Sequence, residues 1–157
     1  MVLIVPTISS FMVYDAIGLN RTSDENFFIF LGAAILHHLV GVSLGLFGGC
    51  VFSNMKVAQG VMPQRILPFM MFAGFFTNRD SIPSWIAWME YLSPMKYFYE
   101  IVITNEYEGR GFEPNPVDYY FNFEMGIEQS FIILIIMTVT LRVLGFFALK
   151  GLLRTLE

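Results

Sequence analysis

Residues 27–53 read FFIFLGAAILHHLVGVSLGLFGGCVFS, without one Asp, Glu, Lys or Arg. About 20 apolar residues suffice for a helix to cross the ~30 Å hydrocarbon layer of a bilayer, so this stretch can span it with some tilt. The composition of the whole chain agrees. Hydrophobic side chains make up 55% of its 157 residues and charged ones 14%, against about 25% charged in an ordinary soluble domain.

Outward from this segment the same pattern returns three times. Residues 1–20 are apolar apart from Asp15 near their end, and the polar residues 21–26 connect them to the central stretch. They lack the basic flank and small-residue cleavage site of a signal peptide, so the chain is expected to begin within a membrane segment, as a fragment would. Residues 61–77 form a third apolar stretch, with Arg65 expected to snorkel to an interface. Residues 130–150 form a fourth, interrupted by Arg142. An Arg near the bilayer centre costs roughly 3 kcal/mol, whereas about a dozen large apolar side chains contribute roughly 0.3 to 0.6 each, so insertion wins.

Residues 82–105 differ from these spans. Ile82, Trp85, Ile86 and Met89 have helical spacing after Asp80 and Ser81, with Pro83 in the first turn, and Pro94 then interrupts the pattern. Two helices of about ten residues are each too short to cross, and Trp85, Trp88, Tyr91, Tyr97 and Tyr99 suit a re-entrant or interfacial hairpin. Residues 106–129 are acidic, hold Gly109, Gly111, Pro114 and Pro116, and read as an external loop. The expected fold is therefore all-α and integral to a membrane, with four transmembrane helices (about 1–20, 27–53, 61–77 and 130–150) and a short hairpin before the last.

A formal charge of −4 with no basic run argues against nucleic acid as partner, because phosphate binding needs clustered Lys and Arg. The lone Cys50 can form neither an internal disulfide nor a metal cluster. Lys56 and Arg65 in the connection at 54–65, with Lys150 and Arg154 near the C-terminus, place these segments on the cytoplasmic side.

Few residues carry a chemical signature. Gly41-Val-Ser43-Leu-Gly45 matches the G-x-S-x-G of hydrolase elbows, but that motif needs a strand before the Ser, and here it lies within an apolar helix. Gly41, Gly45 and Gly49 at four-residue spacing read better as a face for close helix packing. His37 and His38 are adjacent and point to different sides of a helix, so they cannot form an i, i+4 metal pair. Asn20-Arg21-Thr22 fits a glycosylation acceptor, but sits tight against a span. No Walker A, H-E-x-x-H, C-x-x-C or dinucleotide motif occurs, so neither catalytic nor metal-ligating residues are assigned. Asp15 and Arg142 are the charges expected at membrane depth, where such groups either pair within the bundle or mark a transport route.

Residues 66–107 carry a recognisable series: Phe72-Ala-Gly74-Phe75-Phe76-Thr-Asn78, Ile82-Pro83, Trp88-Met-Glu-Tyr91-Leu-Ser93-Pro94-Met-Lys96-Tyr97 and Asn105-Glu106-Tyr107. Together with Tyr14-Asp-Ala-Ile-Gly18-Leu19 and Arg142-Val-Leu-Gly-Phe-Phe-Ala-Leu149, it resembles the membrane domain of G-type (White/Brown) ABC transporters, an ABC-2 type domain. Lys96 stands where an Arg is usual, a change that a snorkelling cation tolerates. The resemblance implies spans three to six of a six-span half-transporter whose nucleotide-binding domain lies outside this chain. The chain itself then binds no cofactor, and ATP and Mg enter through that missing domain.

The resemblance further implies a homo- or heterodimer in the lipid bilayer of a plasma or organelle membrane, exporting lipids or other hydrophobic small molecules through a midline cavity. By position Pro63, Leu67 and Met70 would face that cavity, and Phe75 and Phe76 would form a hydrophobic valve above it. The alternatives are a permease subunit with a separately encoded ATPase and a scaffold or channel without ATP coupling. Orientation is open to direct measurement. In a variant lacking Cys50, single cysteines at positions 56 and 113 are expected to react with an impermeant thiol reagent in intact cells only at 113.

Overall fold

The computed structural model describes residues 2–52, 55–71, 85–112, 115–117, 123 and 125–156, and among them every regular element is helical. The helices are α1 (Ile4–Ile17), α2 (Asp24–Val51), α3 (Met55–Met71), α4 (Pro94–Tyr107) and α5 (Ile127–Leu156), with a 3₁₀ turn at Ala87–Leu92 before α4. At 1.5 Å per residue, α2 and α5 are about 42 and 45 Å long, enough for the ~30 Å apolar layer, whereas α4 reaches only about 21 Å.

Local sequence explains the ends. Gly18 closes α1 in the left-handed conformation (φ 69°), its N–H donating to the Tyr14 carbonyl, a cap that a side chain would strain. The Ser23 hydroxyl accepts the Glu25 N–H, and Asp24 and Glu25 occupy the first turn of α2, where carboxylates complement the helix dipole. This cap starts α2 three residues earlier than the apolar run by itself suggests. Pro94 occupies the first turn of α4, where its missing N–H costs nothing.

The helix expected from residue 82 differs from the one observed. Residues 82–84 lie outside the described set, and residues 87–92 form a 3₁₀ turn, bounded by hydrogen bonds from Met89 N–H to Ile86 O (2.9 Å) and from Ser93 N–H to Glu90 O (3.1 Å). So short a piece has too few bonds to offset α-helix nucleation, and tight three-residue turns are the usual form of such connectors.

α2 is the hub of the bundle and touches every other α-helix, while α4 is wedged between α2 and α5. Ala33 and Val40 of α2, Tyr97 and Ile101 of α4 and Leu134 of α5 meet in the core. The outward faces of α2 and α5 expose Phe28, Leu46, Ile132, Ile136, Phe146 and Phe147, an arrangement suited to lipid and unfavourable in water. Backbones approach closely at Gly145, where an added Cβ would stand 3.9 Å from the Phe47 backbone of α2.

Truncating Ile101, which is fully buried at the α2–α4–α5 junction, should cost about 2–5 kcal/mol. The exposed Ile136 should tolerate Ala within about 0.5 kcal/mol. The midpoint of thermal unfolding in detergent, measured for I101A and I136A, separates the two.

Candidate functional site

α4 carries polar side chains on its buried face. Lys96 is 6% exposed, its Nζ 3.2 Å from Glu90 Oε1 and 4.2 Å from the centre of the Tyr91 ring. One turn on, the Glu100 carboxylate accepts the Ser130 hydroxyl of α5 (3.1 Å). The Tyr97 hydroxyl donates to Tyr91 O (2.9 Å), and the Ser93 hydroxyl donates to Phe69 O of α3 (2.7 Å). Lys96 therefore does not snorkel; it is buried and neutralised inside the bundle. The aromatics of this region divide, with Trp85 and Trp88 exposed and Tyr97 in the core. A buried ion pair adds little net stability, but removing one partner leaves an uncompensated charge.

The C-terminal end of α4 grips the turn between α1 and α2. Asn20 is 1% exposed; its amide donates to the carbonyls of Asn105 (3.3 Å) and Glu108 (2.9 Å), while its backbone N–H donates to Glu106 Oε2 (2.7 Å). The Asn105 amide donates to Asn26 O (2.9 Å), Arg110 pairs with Glu106 (2.6 Å), and the Tyr14 hydroxyl donates to the Asn20 carbonyl. Asn20 is thus a clamp, and its amide nitrogen is not free to accept a glycan. Its glycosylation motif conceals this role, and Asn105-Glu106, 85 residues away from Asn20 at Asn105, is the partner that no local pattern reveals.

Between α2, α3 and the start of α4 lies an apolar cavity of about 880 Å³, walled by Gly41, Gly45, Gln64, Pro68, Met89 and Met95 among others. His37 also lines it, stacked on Phe98 (4.8 Å between ring centres), and His37 Nδ1 has no hydrogen-bond partner among the described residues. The glycine face therefore bounds open space: nothing stands within 4 Å of a Cβ built at Gly41, Gly45 or Gly49. No helix among the described residues makes the close contact expected of that face. The approach at Gly145 has no signal in the sequence, because one glycine in an apolar run has no periodicity to mark it. Ser43 is buried in the middle of α2, without a preceding strand, and its hydroxyl donates to Leu39 O of its own helix (2.7 Å).

On α3 the cavity takes Gln64, Pro68 and Phe69. Leu67, 58% exposed, faces away and Met70 is half-buried; Pro63 lies on α3, its side chain outside the described residues, as are Phe75 and Phe76 entirely. Asp15 is exposed and pairs with Arg21. Arg142 lies on α5, exposed and with no ion pair to another described residue. No group of three or more metal-ligating side chains occurs among the described residues.

Apolar helices long enough to span, a short helix with a polar buried face and an internal apolar cavity define a polytopic membrane domain. The family model for ABC-2 type transporters matches residues 1–107, and the chain belongs to that family. It is 35% identical over 105 residues to Protein white of Ceratitis capitata, covering 67% of this chain and 15% of that protein. It is 33% identical over 109 residues to the ABC transporter ATP-binding protein/permease wht-1 of Caenorhabditis elegans (68% and 16%). With ABC transporter G family member 20 of Arabidopsis thaliana the identity is 36% over 95 residues (60% and 13%). The chain thus spans about one-sixth or less of the length of these relatives. It is a membrane domain of the G type.

Two substitutions test the buried polar groups. In the full-length protein Asn20→Ala should lower stability by about 1–3 kcal/mol, the cost of orphaning buried hydrogen-bonding groups, with no deglycosylation shift lost relative to wild type on gels. Lys96→Met should cost about 3–5 kcal/mol by removing the cation that faces the buried Glu90, read as lower yield of folded protein, whereas Lys96→Arg retains it.

Proposed function

We infer that this chain is the membrane-spanning part of an ATP-driven half-transporter that exports lipids or other hydrophobic or amphipathic compounds. The observation that carries the reading is the similarity to White and G-family members over most of the chain. The name of the worm relative, an ATP-binding protein and permease in one, favours an ATPase fused in the same polypeptide over a separately encoded one. In this reading ATP and Mg act at a nucleotide-binding domain beyond these residues, and two halves pair across a midline cavity.

Four spans at about 1–20, 27–53, 61–77 and 130–150 form the proposed membrane topology, with the hairpin of 82–105 entering one leaflet. Pro63, Leu67 and Met70 are proposed to line the midline cavity. The exposure of Leu67 supports this, since a partner-facing side chain is uncovered in one half. Gly41, Gly45 and Gly49 are proposed to admit a neighbouring helix from outside the described residues. The apolar character of the cavity beside them suits a hydrophobic substrate, and the flexible thioethers of Met89 and Met95 adapt to variable ligands. Phe75 and Phe76 are proposed as the valve: paired rings at a constriction exclude water and ions by dewetting.

Reconstituted full-length transporter, assayed for ATP hydrolysis and for export of a fluorescent phospholipid, tests this function. The double substitution Phe75→Ala, Phe76→Ala should leave hydrolysis measurable but change the ratio of substrate moved to ATP consumed. An unchanged ratio in correctly assembled protein overturns the valve. Absence of any ATP-dependent movement across a panel of apolar probes, with hydrolysis intact, overturns the export reading.

A further inference from the structure

A second concavity, of about 510 Å³, lies where α1 ends and α2 begins. Its lining combines the rings of Phe11, Tyr14 and Phe27 with the charged side chains of Asp15, Arg21 and Asp24. The rings are packed together: Phe11 and Phe27 are 4.8 Å apart between centres, and Tyr14 meets Phe27 edge-on at 5.0 Å. Along both helices the charge stands nearer the connecting turn and the ring deeper in the apolar stretch. Phe11 precedes Asp15 by four residues and Phe28 follows Asp24 by four, about one helical turn or 5.4 Å in each case. That vertical order is the order of a lipid, polar head above apolar body.

The charges also have a sign pattern. One guanidinium stands against two carboxylates, for a net charge of −1 from Asp15, Arg21 and Asp24. Arg21 holds Asp15 through one Nη, and both side chains remain mostly exposed (63% and 70%). A guanidinium has five N–H donors in a fixed fork, so this pair leaves donors for a phosphate. Asp24 in the first turn of α2 then supplies the charge for a cation, and aromatic faces beside it favour an ammonium, above all a quaternary one. Below the rim the exposed side chains of Ile8 and Met12 on α1 and Phe28 on α2 continue the apolar path for acyl chains.

We propose that this concavity binds the headgroup of a zwitterionic phospholipid, with phosphate on Arg21 and the choline or ethanolamine cation between Asp24 and the Phe11 and Phe27 rings. The site needs the domain to lie in a bilayer, but it does not depend on the identity of the transported compound. It discriminates against anionic lipids, because a headgroup without a cation meets a net negative rim.

The test uses the full-length protein in detergent, with native mass spectrometry counting retained dioleoylphosphatidylcholine against dioleoylphosphatidylglycerol. Wild type is expected to prefer phosphatidylcholine. Arg21→Gln should lower its retention about fivefold, the loss of one exposed charge-assisted contact. Asp24→Asn, which makes the rim neutral, should shift the preference towards phosphatidylglycerol, and this change of selectivity keeps the test alive if R21Q does not assemble. Equal retention of the two lipids by wild type, or a preference unmoved by D24N, overturns the proposal. Soluble phosphocholine that displaces no lipid is expected; phosphocholine that binds as well as the intact lipid would overturn the lipid assignment in favour of a soluble ligand. ATP hydrolysis and export by the same variants separate this outcome from failure of the transport reading, since lipid retention is measured without nucleotide.

Discussion

α4 is fourteen residues long and buries Lys96, Glu100 and Asn105, and the bundle is arranged around the need to satisfy these groups. In a low-dielectric interior an unpartnered charge or amide costs several kcal/mol, so each one fixes the position of something else. Lys96 holds the preceding 3₁₀ turn through Glu90, Glu100 draws α5 in through Ser130, and Asn105 ties α4 to the start of α2. Ser93 adds α3 by donating to the Phe69 carbonyl. A short helix with an apolar face on that side would pack more loosely against its neighbours, because lipid tails compete equally well for apolar surface and give no hydrophobic drive to helix association.

This dependence divides the molecule into a fixed and an open side. α2, α4 and α5 share the core of Ala33, Val40, Tyr97, Ile101 and Leu134, and Gly145 lets α5 come close to α2. On the other side α3 is tied to α4 near its end through Phe69, and the glycine face of α2 borders a cavity. Small residues on a helix permit close approach but do not compel it; whether a neighbour arrives depends on what else is present. The same residues can thus serve as a helix seat or as the wall of an apolar chamber.

The Asn20 clamp shows how a motif read in isolation can mislead. Asn-Arg-Thr satisfies the acceptor pattern for a glycan, but the same amide is committed to the carbonyls of Asn105 and Glu108. Lys96 is a second case. A long cation in a membrane segment is expected to reach for water, and here it finds Glu90 and the face of Tyr91 at shorter range. In both, the partner sits on a different element or beyond a turn, and the competition between solvent and partner is decided by geometry.

The membrane character, the existence of the long apolar helices, the shortness of the segment after Pro94 and the G-type ABC relationship are all legible in the order of residues alone. All of these depend on composition, on charge-free length or on local order of residues, which fold along with the chain wherever it is placed. Helix starts were legible less fully: capped by Ser23, α2 begins at Asp24, three residues before its apolar run, because a cap is set by one hydroxyl and not by hydropathy. It took the packed bundle to reveal that Gly145 and not the Gly41–Gly45–Gly49 face makes the close contact within the described residues, that Gln64 and Pro68 line the internal cavity while Leu67 looks away, and that Asn20 meets Asn105 and Glu106. Those facts are contacts between residues far apart in the chain, and a one-dimensional pattern shows which face a side chain occupies without specifying what stands opposite it.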